Sequence, residues 1–340
     1  MTSAFAVRLA GAALAFAVGV SPAAAQWVAT NGPIGAQTNV LVRSGSRLLA
    51  GTAGGGVFAA AADHSSWTPV NKGLTNTNVL SLAVGANQGG DRMLLAGTHG
   101  GGVFASADDA DTWFARSSGL TNGVVRAVAV IPDPYFGNGM VLFAGTDAGV
   151  FRSNWGHVFL ISWRTVNSGL RNTLVRAFTS FLEGSDENDG IGAHDLFVGT
   201  AGGGAFYSTD GVAWWAKNTG LSNPNVAALA ANSPGWGPIF AGTLGGGVFR
   251  SSSTWGGWTA VNNGLTNGVV QAVATVGTNV FAGTSGGGVF LSTNNGGSWV
   301  AVNRGLSNLA VTALTIDGPN VFAATGAGVF RRPLAELIRP

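Results

Sequence analysis

A glycine-rich motif returns along the whole chain. It reads GTAGGGVF at 51–58, recurs as GTHGGGVF, GTAGGGAF, GTLGGGVF and GTSGGGVF, and has two shorter forms, GTDAGVF and ATGAGVF. The phenylalanines that close the seven copies are Phe58, Phe104, Phe151, Phe206, Phe249, Phe290 and Phe330. Repeats of about 40 to 50 residues are typical of β-propellers and of helical arrays. The sequence has no 3.6-residue period, which argues against the helical arrays.

The most regular repeat, residues 270–303, divides into four short β-rich runs. VQAVAT, NVFAGT, GVFLS and WVAVN are separated by turns rich in glycine and asparagine. Four short strands with tight connections form one blade of a β-propeller. The glycine triplet lies between the second and third strands, where a tight reversal needs a positive φ angle. Such turns account for part of the 55 glycines among 340 residues.

The seventh repeat stops after its third strand. A counterpart of the missing fourth strand stands at the other end of the chain, because WVATN at 27–31 resembles WVAVN at 299–303 and matches Asn31 to Asn303. A propeller must close its ring or leave unpaired strand edges. We therefore predict an all-β fold, a seven-bladed β-propeller of four-stranded blades forming a single domain (26–340). The mature N-terminal strand would close its last blade.

The first 25 residues read as a signal peptide. A single arginine precedes a twelve-residue apolar run, and the small residues Ala23 and Ala25 precede Gln26. This pattern predicts cleavage near Ala25/Gln26 and a secreted or periplasmic protein. The apolar run is shorter than the ~20 residues that cross a bilayer. No later stretch reads as a span, so the mature chain is predicted to lack one.

Charge and residue types exclude several classes of function. The chain has 17 basic and 15 acidic residues and no basic stripe, so nucleic acid is not an expected partner. It has no cysteine, which excludes thiolate metal sites and cysteine nucleophiles. The acidic insertion 183–195 lacks the ligand spacing of a calcium loop, and no phosphate-binding loop is present. We predict no metal and no cofactor.

Three turns carry a second motif. SADDADTW (106–113), STDGVAWW (208–215) and STNNGGSW (292–299) resemble the Asp-box, Ser-x-Asp-x-Gly-x-x-Trp, although Ala110, Val212 and Asn294 depart from it. Over residues 26 to 332 the chain is similar to the Asp-box (BNR) repeat superfamily of β-propellers. That superfamily includes sialidases, sortilin-type receptors, xyloglucanases and photosystem II assembly-factor-like proteins. The resemblance implies the propeller fold but no single function.

The tryptophan that ends each box is expected to pack in the core, while the serine and aspartate bond the amides of the turn. Seven tryptophans stand at this position in the repeats: Trp27, Trp67, Trp113, Trp163, Trp215, Trp258 and Trp299.

The resemblance places a ligand site at the axial mouth, because sialidase-like members bind there. The mouth is formed by the glycine turns and by the second residue of each inner strand, which is Leu41 in the first blade. Blades two to four would bring together His99, Arg126, Asp147 and Arg176. Two arginines near a carboxylate and an imidazole can hold an anionic ligand. The alternative is that the arginines bond only strand carbonyls and solvent.

A second candidate surface lies on the opposite face, where the long insertions fall. It contains the aromatic residues Tyr135, Trp155, Trp214, Trp236 and Trp255. Exposed aromatic residues are enriched at protein contacts and can serve as sugar platforms. Alternatively, they pack into small cores beneath the insertions.

These observations predict an exported, monomeric, non-catalytic propeller that recognises a protein or carbohydrate partner. The alternative is a divergent glycoside hydrolase of sialidase or xyloglucanase type. Such an enzyme needs two carboxylates facing each other across one cleft. The acids of this chain fall instead in turns and in one insertion, and no tyrosine–glutamate pair of the sialidase kind is evident. A third interpretation is a propeller that binds carbohydrate without hydrolysing it.

Overall fold

The computed structural model describes residues 26–87, 89–133, 139–155, 161–182, 194–232, 237–253 and 256–338. The predicted signal peptide lies outside these ranges, and so do Tyr135, Trp236 and Trp255. The described residues form seven four-stranded antiparallel sheets and one short helix. The described part of the chain contains no helix with the length and hydrophobicity of a membrane span.

The sheets follow one another along the chain. The first strand is β1 (Val28–Ala29). Blade 1 has β2 (Thr38–Ser44), β3 (Arg47–Thr52), β4 (Gly56–Ala60) and β5 (Trp67–Pro69). Blade 2 has β6 (Val79–Ala86), β7 (Arg92–Thr98), β8 (Val103–Ser106) and β9 (Phe114–Ala115). Blade 3 has β10 (Val125–Pro132), β11 (Met140–Thr146), β12 (Gly149–Trp155) and β13 (Arg164–Thr165).

The remaining blades repeat the pattern. Blade 4 has β14 (Val175–Leu182), β15 (His194–Thr200), β16 (Gly204–Ser208) and β17 (Trp215–Ala216). Blade 5 has β18 (Val226–Ala231), β19 (Ile239–Thr243), β20 (Gly247–Ser251) and β21 (Thr259–Ala260). Blade 6 has β22 (Val270–Val276), β23 (Asn279–Thr284), β24 (Gly288–Ser292) and β25 (Val300–Ala301). Blade 7 has β26 (Val311–Asp317), β27 (Asn320–Thr325) and β28 (Gly328–Pro333), and the helix α1 (Leu334–Leu337) follows.

The inner strands β2, β6, β10, β14, β18, β22 and β26 contact one another in a closed cycle. The prediction of a seven-bladed, all-β propeller is therefore confirmed. In blade 7 the outer strand is β1, which pairs antiparallel with β28 through Val28–Arg331 and Ala29–Phe330. That this strand holds the ring closed stays a prediction.

The hydrophobic core lies between the blades. Each hydrophobic cluster of the described residues joins two neighbouring blades, as where Leu49 and Val57 of blade 1 pack with Phe104 and Trp113 of blade 2. The glycine that precedes the motif threonine permits this packing. A Cβ on Gly51 would lie 2.6 Å from Val79 Cγ1 of the next blade. The sheets are thus too close at this position for any side chain.

In blade 1 the motif turn is held by its own threonine and by an asparagine that follows the fourth strand. In blade 1, Thr52 Oγ1 donates to the Gly56 carbonyl at 2.8 Å. Asn71 accepts from the Val57 amide at 2.7 Å and donates to the Gly55 carbonyl at 2.9 Å. Gly56 has a φ of 81°, as the tight reversal requires.

Asn31, which the sequence matches to Asn303, does not hold a motif turn as Asn303 does. Asn303 clamps its turn by accepting from the Val289 amide at 2.7 Å. Asn31 instead has a φ of 57° and donates to the Ser65 carbonyl in blade 1 at 3.3 Å. The Gly32 carbonyl accepts from the Val329 amide in its place, at 3.2 Å. The difference arises because a proline follows Gly32 where the other repeats have glycine, so the chain leaves the blade by another path.

The box turns bond as expected. Ser106 Oγ accepts from the Ala110 amide at 3.0 Å, and Asp108 accepts from the Thr112 amide at 2.9 Å. Burial pulls the pKa of Asp108 upward, but hydrogen bonds from Thr112 and Ser106 outweigh it and hold the pKa below its usual value. Asp210 in blade 4 follows the same balance, with the Ala213 and Val212 amides as the main donors.

The box tryptophans form a ring, in which blade 4 contributes Trp214 and not the predicted Trp215. Each indole N–H donates to the residue three places after the tryptophan of the preceding blade. The pairs are Trp27–Val302, Trp67–Thr30, Trp113–Val70, Trp163–Arg116, Trp214–Val166, Trp258–Lys217 and Trp299–Val261. Blade 4 uses Trp214, which is buried, whereas the predicted Trp215 is 46% exposed. The box turn of blade 4 is one residue shorter than those of blades 2 and 6. The sequence indicates this, because Gly211 stands one place before the expected box glycine.

Candidate functional site

The axial mouth is built from β-bulges. In every blade the pairing of the first two strands skips one residue, as between Val125 and Ala127. A bulge leaves its extra residue outside the ladder and re-aims the side chain. The skipped residues are Asn39, Leu80, Arg126, Arg176, Ala227, Gln271 and Thr312.

Six of these bulge residues line one cavity of about 280 Å³ together with Leu244. They come from blades 1 to 6, so the cavity lies where the inner strands converge. We call it the axial mouth. Its lining combines two arginines, two amide side chains and three aliphatic residues.

The lining residue of blade 1 differs from the prediction. Asn39 lines the mouth, whereas Leu41 is buried and packs with Leu48 and Phe322. The tetrapeptide TNVL occurs at both 38–41 and 77–80, and matching the two copies shifts blade 1 by two residues. The strand pairing shows the true equivalence, because Thr38 pairs with Thr52 as Val79 pairs with Thr98. Counting back along the two strands from Thr52, the motif threonine of blade 1, would have identified Asn39 as the lining residue.

Arg126 and Asp147, both predicted for this site, form an ion pair. Arg126 Nε lies 2.5 Å from Asp147 Oδ1, and Arg126 Nη2 lies 3.1 Å from Oδ2. Both side chains are about one-third exposed. The bidentate pair fixes both groups and offsets the charge of Arg126. Arg126 therefore bonds the carboxylate of the next turn in its own blade, and not strand carbonyls as the alternative interpretation held.

Arg176 lines the mouth beside this pair. It is partly exposed and makes no hydrogen bond or ion pair with any residue of the described ranges. An arginine cannot lose its charge in a protein. Among the four predicted residues, Arg176 is therefore the cation that is available to a ligand.

His99 stands at the rim. It is exposed and is not one of the residues that line the cavity. Its backbone bridges to Val124, and its carbonyl accepts from Asn76 Nδ2 at 3.2 Å. The structure thus brings Arg126, Asp147 and Arg176 to one side of the mouth and leaves His99 at its edge. Sequence reasoning for blade 1 missed the amide of Asn39.

The predicted aromatic surface is only partly described. Trp155 is partly buried at the end of β12. Trp214 is 2% exposed and belongs to the core, so its placement on this surface was wrong. Exposed aromatic residues occur one position after the box tryptophan, at Phe114 and Trp215.

The described carboxylates are mostly occupied by protein donors. Asp109 accepts from Ser44 Oγ at 2.7 Å, Asp111 pairs with Arg47 at 2.7 Å, and Asp317 pairs with Arg43. Asp91 and Asp109 line one depression together. Asp91 is exposed and the side chain of Asp109 is 42% exposed, so neither is buried among apolar side chains as the general acid of a glycosidase is. Within the described ranges, no three metal-ligating side chains gather in a group that could hold an ion.

No profile of a known protein family matches the sequence, and no curated protein sequence matches it. Solved structures share its fold. The extracellular domain of BT3049, a putative hybrid two component system from B. thetaiotaomicron, has a TM-score of 0.70 at 18% identity. That match covers 90% of this chain and 41% of the other, so this chain spans about two fifths of that domain.

Two further matches cover nearly the whole of both chains. YCF48 from Cyanidioschyzon merolae has a TM-score of 0.65 at 15% identity, over 91% of this chain and 98% of its own. A structure of YCF48 bound to D1 peptide has a TM-score of 0.62 at 13% identity, over 93% and 97%. At these identities the likeness concerns the fold alone.

Proposed function

We propose that this protein is an exported, monomeric, non-catalytic recognition module that binds a protein partner at the axial mouth. One observation carries the proposal. The repeats are nearly uniform at the positions that build the blades, such as the buried motif threonine. They differ in most blades at the bulge position, whose residue is left out of the strand ladder. Such variation around one ring of accessible side chains is what a specific binding surface needs.

The chemistry of the mouth favours a peptide segment. Arg176 offers a charged donor, and the amides of Asn39 and Gln271 can both donate to and accept from a peptide backbone. Leu80 and Leu244 supply apolar contact beside them. A segment with an acidic group and an apolar side chain would satisfy all three. The structure of YCF48 bound to D1 peptide supports protein binding on a related architecture.

The assignment to the Asp-box superfamily and the export of the chain belong to the same proposal. The serine bonds of the box turns support the first. The signal-like sequence of residues 1–25 and the match to an extracellular domain support the second. Carboxylates held by protein donors favour binding over hydrolysis.

The test is affinity capture from the cell envelope of the source organism with the wild-type protein, Arg176→Ala and Arg164→Ala. Arg164 is an exposed arginine on the outer strand of blade 3 and serves as the matched control. We expect a defined protein that adheres to wild type and Arg164→Ala and is lost with Arg176→Ala. An adhering set that Arg176→Ala leaves unchanged would contradict the proposed site. Sugar release from sialylated glycans or xyloglucan would contradict the non-catalytic role.

A further inference from the structure

Blade 3 extends beyond its neighbours on the face opposite the axial mouth. Its third strand continues past Ser153 to Trp155, which pairs with Met140. The corresponding strands of four other blades end at Ser106, Ser208, Ser251 and Ser292. In the next described range, the Ser162 amide donates to Ser153 Oγ at 3.1 Å. Trp155 stands beside the box turn of blade 2, because it lines the same cavity as Ala107 and Asp108.

An apolar cavity of about 200 Å³ lies between two residues of blade 3, Trp155 and Ile161, and blade 2. Met93, Ala105 and Ile161 line its interior and are buried. Phe114, which is 54% exposed, and Trp155 also line it. Such a combination of a buried apolar floor with two aromatic walls is typical of a ligand pocket.

Trp155 also lines a second, polar depression of about 470 Å³. Asp91, Arg92 and Asp109 lie on that side. Asp109 accepts from Ser44 Oγ at 2.7 Å and faces Arg92 Nη1 at 3.7 Å. Trp155 thus lies between an apolar cavity and a depression that offers both hydrogen-bond acceptors and hydrogen-bond donors. We call the two together the Trp155 cleft.

We propose that the Trp155 cleft binds a neutral pyranose sugar. The carbon face of a pyranose ring is apolar and suits the aromatic walls of Trp155 and Phe114. Its hydroxyl groups both donate and accept, so they can bond Asp109 and Arg92 at once.

The charges around the cleft favour a neutral ligand over a charged one. Asp91, Asp108 and Asp109 would repel an anion, while Arg92 and Arg116 would repel a cation. Arg116 also lies over the Phe114 ring, 5.3 Å from its centroid. The cleft is on the face opposite the axial mouth, so this inference does not depend on the proposed function.

The test measures binding of the full chain to an array of neutral gluco-, galacto-, manno- and xylo-oligosaccharides, with uronic acid oligosaccharides beside them. The strongest neutral oligosaccharide is then titrated by calorimetry. The test variants are Phe114→Ala, whose side chain is exposed and makes few core contacts, and Trp155→Ala. Trp215→Ala is the matched control, because Trp215 holds the equivalent position two blades away and is 46% exposed. Arg176→Ala separates the cleft from the axial mouth.

We expect binding of a neutral oligosaccharide that weakens at least tenfold in Phe114→Ala and in Trp155→Ala. It should be unchanged in Trp215→Ala and Arg176→Ala. The proposal is overturned if the array shows no neutral ligand, if only charged oligosaccharides bind, or if Phe114→Ala binds as well as wild type. A circular dichroism melt of each variant shows whether it is folded.

Discussion

The indole N–H of Trp27 donates to the carbonyl of Val302 at 2.6 Å, across 275 residues of sequence. Trp27 also donates its backbone amide to the Arg304 carbonyl in the same segment. The residues next to it, in β1, pair with blade 7, so the first described residues of the chain contact two blades at once. Five of the other six box tryptophans make the same bond to a backbone carbonyl of the preceding blade, while Trp67 donates to the Thr30 hydroxyl. The segment 26–30 is thus bonded to blade 6 through Trp27 and to β28 of blade 7 through β1.

The first prediction concerns this segment. Trp27→Ala should lower the free energy of unfolding by about 3–5 kcal/mol, because it empties a buried site and removes the bond to Val302. Val28→Ala, at a 52% exposed position of the same strand, should cost under about 0.5 kcal/mol. Deleting residues 26–34 should lower the melting temperature further. Equal stability of the deletion and the wild type would show that the ring holds without β1.

The second prediction concerns the close contact between blades. Gly51→Ala should destabilise the fold by about 1–3 kcal/mol, because the new methyl group would overlap Val79 and Val40 in a packed core. Gly326→Ala is the control, since its nearest neighbour is the amide of Asn308 at 3.1 Å. Urea titration of the three proteins measures the difference. Comparable losses in both variants would mean that blade spacing is not the cause.

The third prediction concerns the pH dependence of stability at Lys217. This lysine is buried, donates to the Ser253 and Gly256 carbonyls, and has its pKa lowered by burial to about 8 from 10.5. Between these values the unfolded chain binds more protons than the folded one, so the free energy of unfolding rises with pH. Below pH 8 both forms carry the proton and the dependence disappears.

Lys217→Met provides the comparison, because it removes this titration and keeps most of the side-chain volume. The stability of wild type relative to Lys217→Met should increase from pH 7.5 to pH 9.5 in urea titrations. A difference that stays constant over this range would contradict the lowered pKa.

The fourth prediction concerns the ion pair at the axial mouth. Asp147→Asn and Arg126→Gln should each change the free energy of unfolding by less than about 1 kcal/mol, because the pair is partly exposed and screened by solvent. Their coupling in a double-mutant cycle should shrink in high salt. A loss of several kcal/mol would show that the pair is structural and would make these variants unsuitable as binding probes.

The fifth prediction concerns processing. Mass spectrometry of the protein recovered outside the cytoplasm should give a mature chain that begins at Gln26. Replacing Ala25 with a bulky residue such as tryptophan should slow this cleavage, because the signal peptidase site needs small residues. Recovery of the unprocessed chain in the cytoplasm alone would contradict export.

The repeat made the fold predictable because each copy carries its own strand, turn and core pattern. Where the prediction failed, local similarity was misleading. Leu41 was placed in the mouth as the second residue of the first inner strand, although the distance to Thr52 assigns Asn39 there. Two adjacent tryptophans in blade 4 could be told apart only by the length of the box turn. The pairing of Arg126 with Asp147 depends on side-chain directions at a bulge, which spacing in the sequence does not specify.

The bulge at the start of each inner strand has a consequence for how such a ring can change. Its backbone is left out of the strand ladder, and in five blades its side chain makes no hydrogen bond to a strand of the sheet or to another blade within the described residues. Asn39 and Thr312 are the exceptions, because they donate to the Val79 and Thr38 carbonyls of the next blade. In those five blades the stability of the propeller and the identity of what it contacts are set by separate positions. A new partner can therefore be acquired through substitutions at these five positions, while every blade keeps its shape.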